Sequence, residues 1–116
     1  MLLDSDKNRL RHMIDAASEA IEHSQNRTRA ELDTDRALQH LLVRNLEILG
    51  EAASRISPEL RSGHPEIPWR LIISTRNRLT HAYFEIDLNI VWSTVQVALP
   101  RLLPKLQALT EHSRYD

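Results

Sequence analysis

The residues best suited to chemistry in this 116-residue chain lie close together, between Arg76 and Tyr83. Arg76, Asn77, His81 and Tyr83 supply a guanidinium, a carboxamide, an imidazole and a phenol. Histidine, with an ordinary pKa of about 6.5, can exchange a proton with a ribose hydroxyl or a leaving oxygen, and arginine can stabilise the growing charge on a phosphate. Because the 2′-hydroxyl of RNA can act as the nucleophile, this set predicts phosphodiester cleavage without a metal ion.

Two of these groups, Arg76 and Tyr83, fall on a predicted helical stripe whose members are spaced three or four residues apart. The stripe consists of Trp69, Ile72, Arg76, Leu79 and Tyr83. Arg76 thus occupies a position where the pattern calls for an apolar side chain. A charge that is partly withdrawn from water needs partners, which suggests a binding or catalytic reason for keeping it there. Asn77 and His81 lie at one edge of the stripe, so the four polar groups can line one groove.

The spacing alone leaves a structural alternative open. Arg76 would then pair with a carboxylate of the preceding long helix, Glu47 or Glu51, while His81 would cap its own helix and Tyr83 would be a packing aromatic. If the motif is catalytic, Glu47 is expected to be a supporting residue that orients Arg76, rather than a general acid or base.

Charge and composition limit how the chain can bind RNA and exclude other chemistries. Fifteen basic and sixteen acidic residues give a formal charge of -1, so RNA must be bound locally. The stretch 70–83 contains three arginines and no acid, which makes it the expected phosphate-binding patch. The chain has no cysteine, and its other histidines show no ligand spacing, so we expect no metal site and no cofactor.

Length and hydropathy predict one domain, residues 1–116, in the cytoplasm. No apolar run approaches the roughly 20 residues that span a bilayer, so no membrane partner is expected.

The apolar periodicity predicts an all-α protein, an antiparallel four-helix up-and-down bundle with an extra short helix. The first helix is predicted from Ser5 to about Ser24, followed by a polar link over 25–33. The second helix is predicted to begin after a cap at Asp33 or Thr34.

The second half of the chain shows clearer helix boundaries. Ser57 and the following proline predict the short helix, and 62–68 is predicted as a loop. The third helix is predicted from Pro68 to about residue 80 or beyond, and Asp87 is predicted to cap the fourth. A proline within the fourth apolar pattern predicts a kink or a fresh start near Leu99.

Five blocks of this sequence, in order, resemble the HepT-like branch of the HEPN superfamily. They are 44–53 (RNLEILGEAA), 57–60 (SPEL), 65–69 (PEIPW), 76–83 (RNRLTHAY) and 91–96 (VWSTVQ). The resemblance covers roughly residues 36–109, and the motif itself shows no departure from the family pattern.

The resemblance implies a homodimer, or a larger assembly of dimers, in which two R-x4-H motifs meet at a cleft. It implies metal-independent RNA cleavage by the toxin of a type VII toxin–antitoxin system. It also implies a partner, a minimal nucleotidyltransferase antitoxin of the MntA type, which transfers AMP to the motif tyrosine. By this resemblance Arg76 and His81 are catalytic, Asn77 is the polar residue that follows the arginine, and Tyr83 is the AMP acceptor.

Two other interpretations use the same residues. The chain can instead be a non-catalytic subunit of a nucleotidyltransferase complex, in which Arg76 and His81 hold a nucleotide phosphate or the chain serves as a scaffold. It can also be a purely structural helical dimer. Growth arrest when the chain is expressed alone is expected only of the toxin.

Overall fold

A computed structural model of the chain describes the backbone of residues 2–81 and 86–114, and their side chains except those of 76, 78–81 and 111–114. Regular structure within these ranges is entirely helical, which confirms the all-α class. The helices are α1 (Asp4–Ser24), α2 (Arg29–Thr34), α3 (Arg36–Ser54), α4 (Pro58–Gly63), α5 (Trp69–His81), α6 (Leu88–Ser93), a π-helical turn (Thr94–Ala98) and α7 (Leu99–Arg114).

The connection between α1 and α3 differs from its prediction. The stretch predicted as a polar link contains most of α2. This helix begins with a capping box: the Thr28 hydroxyl accepts from the Glu31 N–H, and the Glu31 carboxylate accepts from the Thr28 N–H. The predicted cap of α3 at Asp33 or Thr34 is also wrong. Both residues belong to α2, and the Asp35 carboxylate accepts from the Leu38 N–H at 3.0 Å instead.

Arg27 joins both of these helix starts through its guanidinium. Its Nε lies 2.6 Å from Glu31 Oε2, and its Nη2 lies 2.6 Å from Asp35 Oδ2. Hydrogen bonds from Arg27 lower the pKa of the Glu31 and Asp35 carboxyl groups, and those carboxylates raise the pKa of Arg27. The α1–α3 connection is therefore held by charge pairing as well as by backbone capping.

The short helix α4 begins where it was predicted, with Ser57 as its N-cap and Pro58 in its first turn. The helix continues to Gly63, so the connecting loop is 64–68, not 62–68 as predicted. Asp6 of α1, 3% exposed, fixes this start: its carboxylate accepts from the Ser57 backbone N–H at 2.9 Å and from the Ser57 hydroxyl at 2.6 Å. A buried charge in α1 thereby positions α4.

The last helical segment confirms two predicted boundaries. Asp87 caps α6, and its Oδ1 accepts from the N–H groups of Asn89 and Ile90. A π-helical turn then separates α6 from α7, which starts at Leu99 as expected. Pro100 has no N–H to donate to the preceding turn, so a regular α-helical ladder cannot run through this point unbroken.

A cluster of buried hydrophobic side chains holds the helices together. α1 packs against α3 and α7, and α3 packs against α5. The largest fully buried side chains include Leu10, Met13, Leu42, Ile56, Leu99 and Leu106. None of the helices, over the residues described, is both long and apolar enough to cross a membrane.

Candidate functional site

Helix α5 carries the R-x4-H motif, and its first half is fixed by burial. Trp69 and Ile72 are buried, as their positions on the apolar stripe predict. The Trp69 indole N–H donates to the His64 carbonyl at 3.0 Å, and the buried Thr75 hydroxyl donates to the Leu71 carbonyl at 2.9 Å. The part of α5 that precedes the motif is therefore held in place by α3 and by the preceding loop.

The structure locates the predicted catalytic residues on the backbone of α5. Arg76 and His81 both lie within Trp69–His81, and their side chains are outside the described residues. Asn77, directly after Arg76, has an exposed side chain. Tyr83 lies outside the described residues, so the grouping of all four side chains in one groove stays a prediction.

Glu47, the predicted supporting residue, is half-buried on α3 and lines a groove of about 330 Å³ between α1 and α3. Arg9, His12 and Arg44 also line this groove, so the carboxylate lies among positive and titratable groups. Glu51, the alternative partner for Arg76, accepts from Arg55 Nε at 2.7 Å. The role of Glu47 in orienting Arg76 stays a prediction.

An apolar groove of about 260 Å³ runs between α3, α5 and the π-helical turn. Leu71 and Val97 line it and are 53% and 51% exposed, which is high for large apolar side chains. Thr75, the residue before Arg76, lines the same groove. An apolar surface thus adjoins the motif on α5.

A second groove, of about 490 Å³, lies between α4 and α5, and we call it the α4–α5 groove. Its polar lining residues are Arg61, Ser62, Arg70, Ser74 and Asn77. Sequence reasoning found Arg70 and Asn77 but missed Arg61, because no spacing rule connects a residue of α4 with the motif helix.

Within the described ranges, no three histidine, aspartate or glutamate side chains are grouped so that they could hold a metal ion. Metal-independent chemistry stays a prediction.

Comparison with known proteins identifies the family. Residues 13–109, which include the whole motif, match the family described as "Ribonuclease HepT-like". A protein of Thermococcus cleftensis named "Probable ribonuclease HepT" is 41% identical over 75 residues, 65% of this chain and 68% of that protein. "Putative RNase TTE0752" of Caldanaerobacter subterraneus subsp. tengcongensis is 29% identical over 105 residues, 90% of this chain and 94% of the relative. No solved structure matches the chain.

The chain therefore belongs to the HepT-like ribonuclease family, and its enzyme class is ribonuclease. The resemblance drawn from the five sequence blocks is confirmed at the level of the family.

Proposed function

We propose that this chain is a metal-independent RNA endonuclease that acts as the toxin of a type VII toxin–antitoxin system. The observation that supports this proposal is the Arg76-x4-His81 motif on α5 in a chain of the HepT-like ribonuclease family. Arg76 stabilises the charge that develops on the scissile phosphate, and His81 moves the proton of the attacking 2′-hydroxyl or of the leaving oxygen.

The active form that we propose is a homodimer, within an antiparallel up-and-down four-helix fold of the HEPN type. One chain supplies one motif, and the proposed cleft uses two. The apolar groove next to Thr75, with exposed Leu71 and Val97, supports a second copy as its occupant, because covering this surface brings two copies of α5 together. Sedimentation should show a dimer that Leu71→Asp converts to monomer; a monomeric parent would contradict this assembly.

The regulation that we propose is covalent. A minimal nucleotidyltransferase of the MntA type transfers AMP to the Tyr83 hydroxyl: the phenolic oxygen attacks the α-phosphate of ATP, and pyrophosphate leaves. The added phosphate competes for Arg76, and the adenosine blocks the RNA path.

Cleavage of a single-stranded RNA by the purified chain tests the catalytic proposal. Cleavage should continue in EDTA, and the products should carry a 2′,3′-cyclic phosphate because the internal nucleophile closes that ring. RNA in which the 2′-hydroxyls are methylated is the matched control and should stay intact. Activity that disappears in EDTA and returns with a divalent ion would contradict the mechanism.

A further inference from the structure

Arg61 on α4 has an unusual environment. The residue is half-buried, and its Nε atom is buried without a hydrogen-bond partner in the described part of the chain. A buried donor of a charged group is destabilising when it lacks an acceptor, and native proteins contain few such groups. Arg61 lines the α4–α5 groove, so an anion bound there would lie beside this guanidinium.

Helix α5 adds a second positive charge to the same groove. Arg70, Ser74 and Asn77 lie at positions i, i+4 and i+7, which fall on one face of a helix, and all three line the groove. Among the described residues, neither Arg61 nor Arg70 forms an ion pair with a carboxylate, and no carboxylate lines the groove. In a chain with a formal charge of -1, this is a local positive site.

We infer that the α4–α5 groove binds the RNA backbone beside the cleaved bond, with Arg61 and Arg70 contacting a phosphate that flanks the scissile one. This inference rests on the proposed function for its substrate and deepens it. Arg70 lies six residues before Arg76, about 9 Å along the helix axis. The groove therefore leads away from the motif toward the first turn of α5, and it receives a neighbouring phosphate rather than the reacting one.

The lining favours contacts with the backbone of RNA over contacts with its bases. Guanidinium groups can bind phosphate oxygens in a bidentate manner, and hydroxyl groups add further contacts. Trp69, an aromatic residue that lines the groove, is only 7% exposed, and its indole N–H already donates to a carbonyl, so Trp69 does not offer a face on which a base could stack. The groove should therefore increase affinity for RNA without reading its sequence.

Binding of a fluorescent single-stranded 2′-O-methyl RNA tests this site, since such RNA keeps its phosphates and cannot be cleaved by its own hydroxyls. The double variant Arg61→Gln, Arg70→Gln should bind about tenfold more weakly, as expected for two lost charge-assisted contacts. Each lost contact should also lower the slope of log affinity against log salt by about 0.7, so the double variant loses about 1.4. A merely structural role would not change this slope.

Arg101→Gln is the matched control, because Arg101 is an exposed arginine of α7 that does not line the groove. Its affinity and salt slope should equal those of the parent. If the double variant does not fold, the single variant Arg70→Gln tests the site, since Arg70 is exposed. Its loss should lower the salt slope by about 0.7.

Unchanged affinity and slope in the folded groove variants would overturn the inference. A changed oligomeric state with unchanged RNA affinity would also overturn it, because the groove would then be a protein contact. The two proposals can fail separately. If the parent cleaves RNA and the groove variants bind RNA as tightly as the parent, only the proposed groove site is contradicted. If the groove variants bind RNA more weakly but the parent cleaves no RNA, only the nuclease proposal is contradicted.

Discussion

Arginines have different surroundings in the α1–α3 region and in the α4–α5 region. Arg27 forms ion pairs with two carboxylates, and Arg29 lies 2.7 Å from Asp33 Oδ1. In contrast, Arg61 and Arg70 line a groove whose described lining residues include no carboxylate. An arginine that is paired with carboxylates stabilises a helix connection, whereas an arginine without a carboxylate partner is available to bind an anion. Substitutions in the first region should therefore change stability, and those in the second should change RNA binding or cleavage.

The largest effect is expected from the motif at the end of α5. His81→Ala and Arg76→Ala should each lower RNA cleavage by about 10²–10⁴-fold, because they remove proton transfer and charge stabilisation in the transition state. Initial rates on single-stranded RNA measure this loss, and circular dichroism should show parent helicity. The control Arg29→Ala should cleave like the parent. A His81→Ala protein that cleaves RNA as fast as the parent would contradict the proposed catalytic role of His81.

Tyr83→Phe should separate regulation from cleavage. The variant should cut RNA but accept no AMP from the nucleotidyltransferase, because it lacks the phenolic oxygen that attacks the nucleotide. Intact-mass spectrometry after co-expression measures the added AMP, and peptide mapping locates it. Tyr115→Phe is the control and should be modified like the parent. Equal modification of the Tyr83→Phe protein would show that this phenol is not the acceptor.

Asp6→Ala, which breaks the contact between α1 and the start of α4, should give the largest loss of stability among these polar contacts. It removes a buried carboxylate that accepts both the N–H and the hydroxyl of Ser57, and hydrogen bonds to charged groups contribute about 1.5–3 kcal/mol. Urea unfolding should therefore show a loss of about 2 kcal/mol. Asp15→Ala, which removes an exposed carboxylate of the same helix, should change the unfolding free energy by less than about 0.5 kcal/mol.

Arg27→Gln should have a smaller effect on stability and none on cleavage. The three paired side chains are between 33% and 44% exposed, and ion pairs that water can reach contribute little to stability. The loss should shrink in high salt because salt screens the parent pairs. Urea unfolding at two salt concentrations measures this. A large loss that does not depend on salt would mean that Arg27 acts through packing instead.

The smallest expected effect is the acid dependence of the same cluster. The Glu31 and Asp35 carboxyl groups have lowered pKa values in the folded chain, chiefly through hydrogen bonds from Arg27. Their contribution is therefore fully present above the ordinary carboxyl pKa of about 4 and is lost as the pH falls through the lower folded values. Unfolding midpoints across this range should fall less steeply for Arg27→Gln. Identical dependence of the unfolding midpoint on pH in the parent and in Arg27→Gln would show that Arg27 does not lower the pKa of these carboxyl groups.

Local sequence signals were sufficient for some boundaries and misleading for others. Ser57 with its following proline and Asp87 act within one helical turn, so the sequence alone predicted both caps. The start of α3 was mispredicted because Asp33, Thr34 and Asp35 are three competent caps in succession. Asp35 also contacts Arg27, eight residues away, and this contact forms only when the α1–α3 connection folds. Residue preferences at helix N-caps therefore do not predict it.

For the site, the sequence by itself determined the residue types of the motif, the place of Arg76 and His81 on one helix, and the family. Only the tertiary structure placed Arg61 of α4 in a groove with Arg70 of α5, and Glu47 in a groove with residues of α1. The physical reason is that helical periodicity fixes neighbours within one helix. Which side chains of two helices come together depends on how those helices pack, and spacing along the chain does not record that packing.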